Sequence, residues 1–164
     1  KIKEISHWTL EENQLRPLNY LYERSGGDRV KSVKHVFDWQ NKQVQMETKD
    51  GKKTLPIMPG VQDKLLYQLS LMNQTGKVAD LHFTITDGLK IRNYLFKYTG
   101  TEELMTPLGL IKTNKFERDH DEGSDRRTLV WCAPSLKNLP VRVDNFDEKG
   151  HLTSIVINDV TGIE

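Results

Sequence analysis

The chain has 164 residues, of which 36% are hydrophobic and 29% are charged, and its 24 basic and 23 acidic side chains leave a net charge of +1. This composition is typical of a soluble globular protein rather than a disordered one, and the length predicts one domain over residues 1–164. The balanced charge excludes an electrostatic footprint for nucleic acid, and no apolar run approaches the roughly 20 residues that a transmembrane helix needs.

The first third of the chain alternates polar and apolar side chains with the period of two that is typical of half-buried strands. In chain order we predict first a strand over about 14–24. The next predicted strand has Val33, His35, Phe37 and Trp39 on one face and ends in a turn at Asn41-Lys42. A further strand follows over 43–47, with a turn at Asp50-Gly51 after it. Short strands separated by such turns are typical of an antiparallel meander.

One segment departs from this alternation. Between Val61 and Asn73 the apolar side chains follow helical spacing, at Val61, Leu65, Leu69 and Met72. Pro59-Gly60 before the segment and Gly76 after it are boundary signals. The sequence therefore predicts one amphipathic helix inside 61–75, whose apolar stripe packs on the apolar face of a sheet.

The rest of the chain returns to strands. The first is Leu81–Thr86, which ends in a turn at Asp87-Gly88, and the second has Tyr94, Phe96 and Tyr98 on one face. A third covers about 108–118. The last three are Arg126–Pro134, Leu139–Phe146 and, after a turn at Lys149-Gly150, His151–Asp159. About ten strands and one helix without a βαβ rhythm predict an α+β fold that is mainly β. We expect a large curved antiparallel sheet packed on that principal helix.

No pattern in the chain indicates catalysis. The five histidines are scattered, Cys132 is the only cysteine, and nucleophile elbows and phosphate-binding loops are absent. We therefore predict that the protein is not an enzyme, that it has no catalytic or metal-ligating residues and no cofactor, and that Cys132 is a buried, inert thiol. His35 is expected to be a hydrogen-bonded structural side chain, and Trp131 to be buried.

Two polar groups have alternative interpretations. The acidic run from Asp119 to Asp125 is best explained as a hairpin loop, and a cation site is the alternative. The second group is expected to form cross-strand charge pairs, with an anion site as the alternative. Its members are Arg126, Arg127, Arg142 and Asp144.

The many aromatic side chains on the predicted strands suggest a ligand cleft, because one helix cannot cover the concave face of a ten-stranded sheet. Seven residues are predicted to line it: Tyr94, Phe96, Tyr98, Phe37, Trp39, Leu65 and Leu69. The alternative is that these side chains form an ordinary sheet core.

A family resemblance is carried by Trp131-Cys132-Ala133-Pro134, Leu139-Pro140-Val141-Arg142-Val143 and Gly150, with support upstream from Thr106-Pro107-Leu108-Gly109, Asp87-Gly88 and Arg16-Pro17-Leu18-Asn19-Tyr20. With these residues the chain resembles the bacterial domain of unknown function 3108 family over most of its length. The resemblance implies an envelope protein of the periplasm whose signal segment has been removed. It also implies a half-open barrel similar to the lipoprotein carriers LolA and LolB, and no known activity.

The hypothesis that follows is a non-enzymatic envelope protein that binds an apolar ligand, namely a lipid, an acyl chain or a lipidated protein, in the concave face of its sheet. The alternative is a protein–protein interaction module of the cell envelope. Possible partners are therefore an apolar ligand or another envelope protein, and neither nucleic acid nor a transmembrane segment of its own is expected.

Overall fold

A computed structural model describes residues 1–26, 30–74, 79–120 and 123–162, which contain twelve strands and one α-helix. A five-stranded antiparallel sheet has the strand order β1 (Ile2–Glu11), β2 (Gln14–Arg24), β3 (Lys31–Asp38), β4 (Gln43–Thr48) and β5 (Gly51–Pro56). The strands of a second, seven-stranded sheet are β6 (Val61–Gln62), β7 (Leu81–Asp87), β8 (Lys90–Thr106), β9 (Gly109–Asp119), β10 (Arg127–Ala133), β11 (Leu139–Phe146) and β12 (Leu152–Val156). They lie in the order β12–β11–β10–β9–β8–β7–β6. The helix α1 spans Tyr67–Gln74, and Pro134–Leu136 form a 3-10 turn.

The predicted fold class is confirmed: the chain is mainly β, and its seven-stranded sheet is curled in the manner of a half-barrel. Two details differ from the prediction. The described strands form two sheets instead of one, and β6 pairs with β7 in parallel, with α1 between them in sequence. A parallel pair needs a crossover connection, and the segment that contains the helix supplies it.

The chain divides into two compact units. The first consists of residues 1–69 and 83–93 and the second of residues 70–82 and 94–164, as far as these are described. The prediction of a single domain stays a prediction.

Each unit has its own apolar cluster. In the first, the buried members are Phe37, Val44, Met46, Ile57 and Val61, with Trp39, Leu55, Leu89 and Ile91 packed against them. In the second, they are Leu104, Leu129, Trp131, Ala133 and Val141. The alternation predicted for β3 is confirmed, because Val33, His35 and Phe37 are buried while Lys34 between them is exposed.

The helix lies inside the predicted interval, but its predicted stripe is wrong. Val61 belongs to β6, Leu69 is 38% exposed, and the residues buried at the helix are Leu66, Ser70 and Leu71. The cause is Asp63, whose carboxylate accepts the N–H groups of Leu65 and Leu66 at 2.9 and 2.8 Å. This side chain caps the first turn, so the helix begins later than the apolar spacing suggested.

Candidate functional site

Four of the seven predicted ligand-lining residues lie in the first unit. Phe37 is buried and stacks on half-buried Trp39, with ring centroids 6.3 Å apart, and the Trp39 indole N–H donates to the Pro17 carbonyl at 2.8 Å. Leu65 is half-buried and Leu69 is exposed. Phe37 and Trp39 are therefore brought together, whereas Leu69 is 38% exposed and does not join them.

The other three lie in the second unit, on β8. Tyr94 and Phe96 are buried and meet edge to face at 6.4 Å, while half-buried Tyr98 contacts Phe116 at 5.7 Å. The guanidinium of Arg118 lies 3.3 Å from the centre of the Tyr94 ring. The cavities described next are lined by other residues, so the lining role of these seven residues stays a prediction.

An open groove of about 690 Å³ lies on the five-stranded sheet. We call it the sheet groove, and its lining residues are Ile5, His7, Asn19, Tyr20, Leu21, Glu23, Ser32, Lys34, His35, Glu47, Thr48 and Lys49. Ile5 faces Leu21 across β1 and β2, and Leu21 faces Lys34 across β2 and β3. Because side chains alternate along a strand, the side chains of Ile5, Leu21 and Lys34 lie on one face of the sheet, and Tyr20 and His35, although they border the groove, direct their buried side chains to the other face. The groove thus combines aliphatic side chains with polar and charged ones.

A second cavity, of about 550 Å³, shares Ser32, Thr48 and Lys49 with the sheet groove and so adjoins it. We call it the cationic pocket, and its other lining residues are Val30, Lys31, Asp50, Asp87, Gly88, Leu89, Lys90 and Arg92. Its four cationic side chains outnumber its two carboxylates, and Asp87 already pairs with Lys64 at 3.2 Å and with Arg92 at 3.8 Å. An excess of positive charge in a concave site favours an anionic group.

The tight turn between β7 and β8 brings Lys90 and Arg92 to this pocket. Gly88 has a φ of +63°, a conformation that residues with a Cβ rarely adopt, and the predicted Asp87-Gly88 turn is confirmed. The Gly88 carbonyl lies 2.8 Å from His35 Nε2, so this turn is anchored to β3.

The opposite face of the same sheet is closed by buried polar contacts. His35 is fully buried, and the described part of the chain offers its Nδ1 no hydrogen-bond partner. Burial lowers the pKa of His35, so the imidazole is neutral and donates from Nε2 to Gly88, as the structural role predicted for it requires.

Asp63 is a second buried polar side chain of the first unit. Ser6 donates to its carboxylate at 2.6 Å, in addition to the two capping N–H groups. Nearby, the Tyr20 hydroxyl donates to Glu4 at 2.7 Å. Burial raises the pKa of Asp63 and of Tyr20. These groups connect β1 to the body of the first unit and lie on the face away from the sheet groove.

In the second unit Trp131 is 4% exposed, which confirms its predicted burial. Its indole N–H donates to Glu102 at 2.9 Å, and the cationic groups of Lys115 and Arg142 each lie 5.0 Å from its ring. The hydrogen bond from Trp131, assisted by Lys115, lowers the pKa of Glu102. Both cations come from residues directly opposite Trp131 on β9 and β11.

The predicted charge pairs are present, with one correction. Arg127 pairs with Glu117 across β10 and β9 at 2.8 Å, and Arg126 pairs with Glu148 at 3.2 Å. Arg142 and Asp144 pair at 2.8 Å along one strand, not across two, because residues two apart share a face.

The remaining sequence predictions concern the thiol and the acidic loop. Cys132 is buried, and burial raises the pKa of its thiol to about 12, which confirms a buried thiol that is protonated at neutral pH. In the acidic loop, Asp121 and Glu122 lie outside the described residues, so the choice between a loop and a cation site stays open there. Within the described residues no group of three or more potential ligands could hold a metal ion.

Sequence reasoning missed both cavities because it followed only the apolar faces of the strands. The signal was in the polar positions: Ile5 and Leu21 interrupt otherwise polar faces of β1 and β2, and Lys31, Lys49 and Lys90 stand at strand ends. Only the strand register shows that these positions converge.

Comparison with known proteins gives one match. The model of a family described as "Protein of unknown function (DUF3108)" matches residues 1–156. No curated protein and no solved structure matches the chain. In the described part of the chain, no helix has the length and apolar character that crossing a membrane requires.

Proposed function

The chain belongs to the DUF3108 family of proteins of unknown function, and from that premise we propose that it binds an anionic amphiphile in the sheet groove and the cationic pocket. The apolar part of the ligand lies over Ile5 and Leu21, and its anionic group lies among Lys31, Lys49 and Lys90. The observation that carries the proposal is the shared boundary of a partly aliphatic groove with a lysine-rich pocket.

The size and chemistry of the two cavities support this assignment. Each volume falls within the range of roughly 300–1,000 Å³ that small-molecule sites occupy. Lys31, Lys49 and Lys90 form no ion pair with any described residue, and the only contact of their charges within the described part of the chain is that of Lys31 with the Tyr22 ring, at 5.8 Å, so a ligand can still pair with them. Each methylene that leaves water contributes about 0.8 kcal/mol, and the contacts to the lysines fix the orientation of the ligand.

The protein acts by binding, without covalent chemistry. His35 is neutral and engaged with Gly88, and Cys132 is a buried protonated thiol. Neither side chain is poised as a base or a nucleophile. A lipid or fatty acid of the bacterial envelope has the required chemistry, and the periplasmic location implied by the family resemblance belongs to this proposal.

The test is a titration of the protein with a fluorescent fatty acid and, in parallel, with its uncharged methyl ester. We expect saturable binding of the acid, weaker binding of the ester, and a loss of affinity as ionic strength rises. If neither probe binds saturably, the proposal is wrong. If the two bind equally, the cationic pocket has no role in recognition.

Two pairs of variants locate the site. Leu21→Asp places a carboxylate in the groove opposite Lys34, and Leu110→Asp makes the same change at a residue of the second unit that is 60% exposed. Lys49→Glu reverses a charge at the shared boundary, and Lys53→Glu reverses one on exposed β5 outside both cavities. Binding that falls in the first member of each pair and persists in the second supports the site.

Fractionation of the native host with an antibody to the protein tests the proposed location. Recovery with the periplasmic fraction supports an envelope protein, whereas recovery with the cytosol contradicts it. The alternative function, an interaction module for another envelope protein, is supported if a specific protein partner competes with the fatty acid for the groove.

A further inference from the structure

The outer strand of the seven-stranded sheet, β12, presents an open edge. It pairs only with β11 among the described strands, and the register is continuous. Its apolar side chains are largely in water: Leu152 is 50% exposed, Ile155 64% and Val156 41%. The unpaired backbone N–H and C=O groups of such an edge are a template for pairing with another strand.

The two outer strands of the five-stranded sheet carry features that oppose such pairing. β5 has Lys52 and Lys53 and ends at Pro56, while β1 has a register shift between His7 and Trp8. Lysine, proline and bulges are the usual means by which sheet edges avoid unwanted partners. β12 contains no charged residue and no proline. Its edge is therefore chemically different from the edges of the five-stranded sheet.

Two hydrogen bonds show which backbone groups of β12 are free. Asp147 N–H donates to the His151 carbonyl at 3.1 Å, and Ile157 N–H donates to the Val141 carbonyl at 2.9 Å. In an antiparallel pair the residues that bond to the neighbour alternate with residues that point away from it. The residues of β12 whose N–H and C=O groups point outward are therefore Leu152, Ser154 and Val156.

We propose that this edge is a dimer interface, in which β12 pairs antiparallel with β12 of a second copy and Ser154 lies opposite Ser154 of that copy. This register joins every outward residue of the strand to an outward residue of the second copy, which gives about six backbone hydrogen bonds. A shift by two residues in either direction leaves one outward residue of β12 without a partner within the strand.

The side chains support the same register. Leu152 lies opposite Val156 of the second copy on one face, and Ile155 lies opposite Thr153 on the other, so the exposed apolar surface becomes covered. The edge is thus complementary to itself in backbone and apolar groups, as a two-fold interface requires.

The test is sedimentation equilibrium of the intact protein from about 1 to about 100 µM, a range that brackets weak and moderate dimers. The key comparison is Ser154→Pro against Ser154→Ala. Both variants lose the hydrogen bond from the Ser154 hydroxyl to Asp144, at 2.6 Å. Only proline also removes the outward N–H at the centre of the interface. We expect Ser154→Ala to remain dimeric and Ser154→Pro to raise the dimer Kd by about tenfold or more.

An introduced charge pair tests the register and stays informative if the proline variant does not fold, which circular dichroism will show. Thr153→Glu should raise the Kd severalfold, because it places a carboxylate opposite Ile155 of the second copy. Adding Ile155→Lys places an ammonium group opposite that carboxylate and should lower the Kd again. A monomeric wild type, or equal Kd values for the proline and alanine variants, overturns the interface, and failure of the double variant to recover overturns the stated register.

Discussion

Truncation of Trp131 to alanine is expected to lower the free energy of unfolding by about 3–5 kcal/mol. A tryptophan that is only 4% exposed hides roughly 150–250 Å² from water, and at about 25 cal/mol per Å² this burial stabilises the fold by about 4–6 kcal/mol. Partial collapse of the site offsets some of that loss. The hydrogen bond to half-exposed Glu102 and the two cations over the ring add little, because these partners remain accessible to water.

The comparison that isolates burial is Trp131→Phe, which keeps an aromatic ring but loses the indole N–H. We expect it to cost about 1–2 kcal/mol, since most of the apolar contact with Val141 and Leu104 persists. Trp8→Ala, at a site that is 43% exposed, is the control and should cost less than about 1 kcal/mol.

The assay is urea unfolding at equilibrium, followed by far-ultraviolet circular dichroism, with a separate transition fitted for each unit if two are seen. A loss below about 1 kcal/mol for Trp131→Ala would refute the burial argument, as would equal losses for the alanine and phenylalanine variants.

Three further outcomes are expected. Because the pKa of His35 is lowered in the fold, the unfolded chain binds a proton at this residue at a higher pH than the folded chain does, so the free energy of unfolding should fall as the pH drops below about 6.5. In urea titrations at several pH values, His35→Phe should weaken this dependence of stability on pH. Asp63→Ala should lower the free energy of unfolding by about 1–2 kcal/mol because the helix loses its cap, whereas Asp63→Asn keeps an acceptor, removes a buried charge and should cost less at neutral pH. Equal losses for the two variants in urea unfolding would contradict the capping role. Because its thiol is buried, Cys132 should react with iodoacetamide at pH 8 only after the protein is unfolded in urea, as followed by mass spectrometry over time. Rapid labelling of the native protein would show instead that the thiol is accessible.

The strands were predictable from sequence because alternation is a local signal. Val33, His35 and Phe37 identify the buried face of β3, and the Asp87-Gly88 and Lys149-Gly150 turns mark hairpins that the structure contains. The helix was predictable in position but not in its buried face. The Asp63 carboxylate accepts backbone N–H groups where the helix begins. The spacing of apolar residues contains no information about such a hydrogen bond from the backbone to a side chain.

The division into two sheets and the candidate site lay beyond the sequence pattern, because both depend on register. No local sequence pattern indicates that Val61–Gln62 pairs with β7, which follows the helix in the chain. Likewise, Leu21 and Lys34 are thirteen positions apart in sequence and face each other only because β2 and β3 align in one particular way.

The strand order of the five-stranded sheet has a consequence for how the protein folds. Each of its strands pairs with the strand that is next in sequence, so each pairing closes only a short loop. The parallel pair differs, since Val61 must meet Thr84 across the intervening helix. Loop-closure entropy therefore favours early formation of the meander, which can grow one hairpin at a time. The β6–β7 contact closes a longer loop and is expected to form after these hairpins.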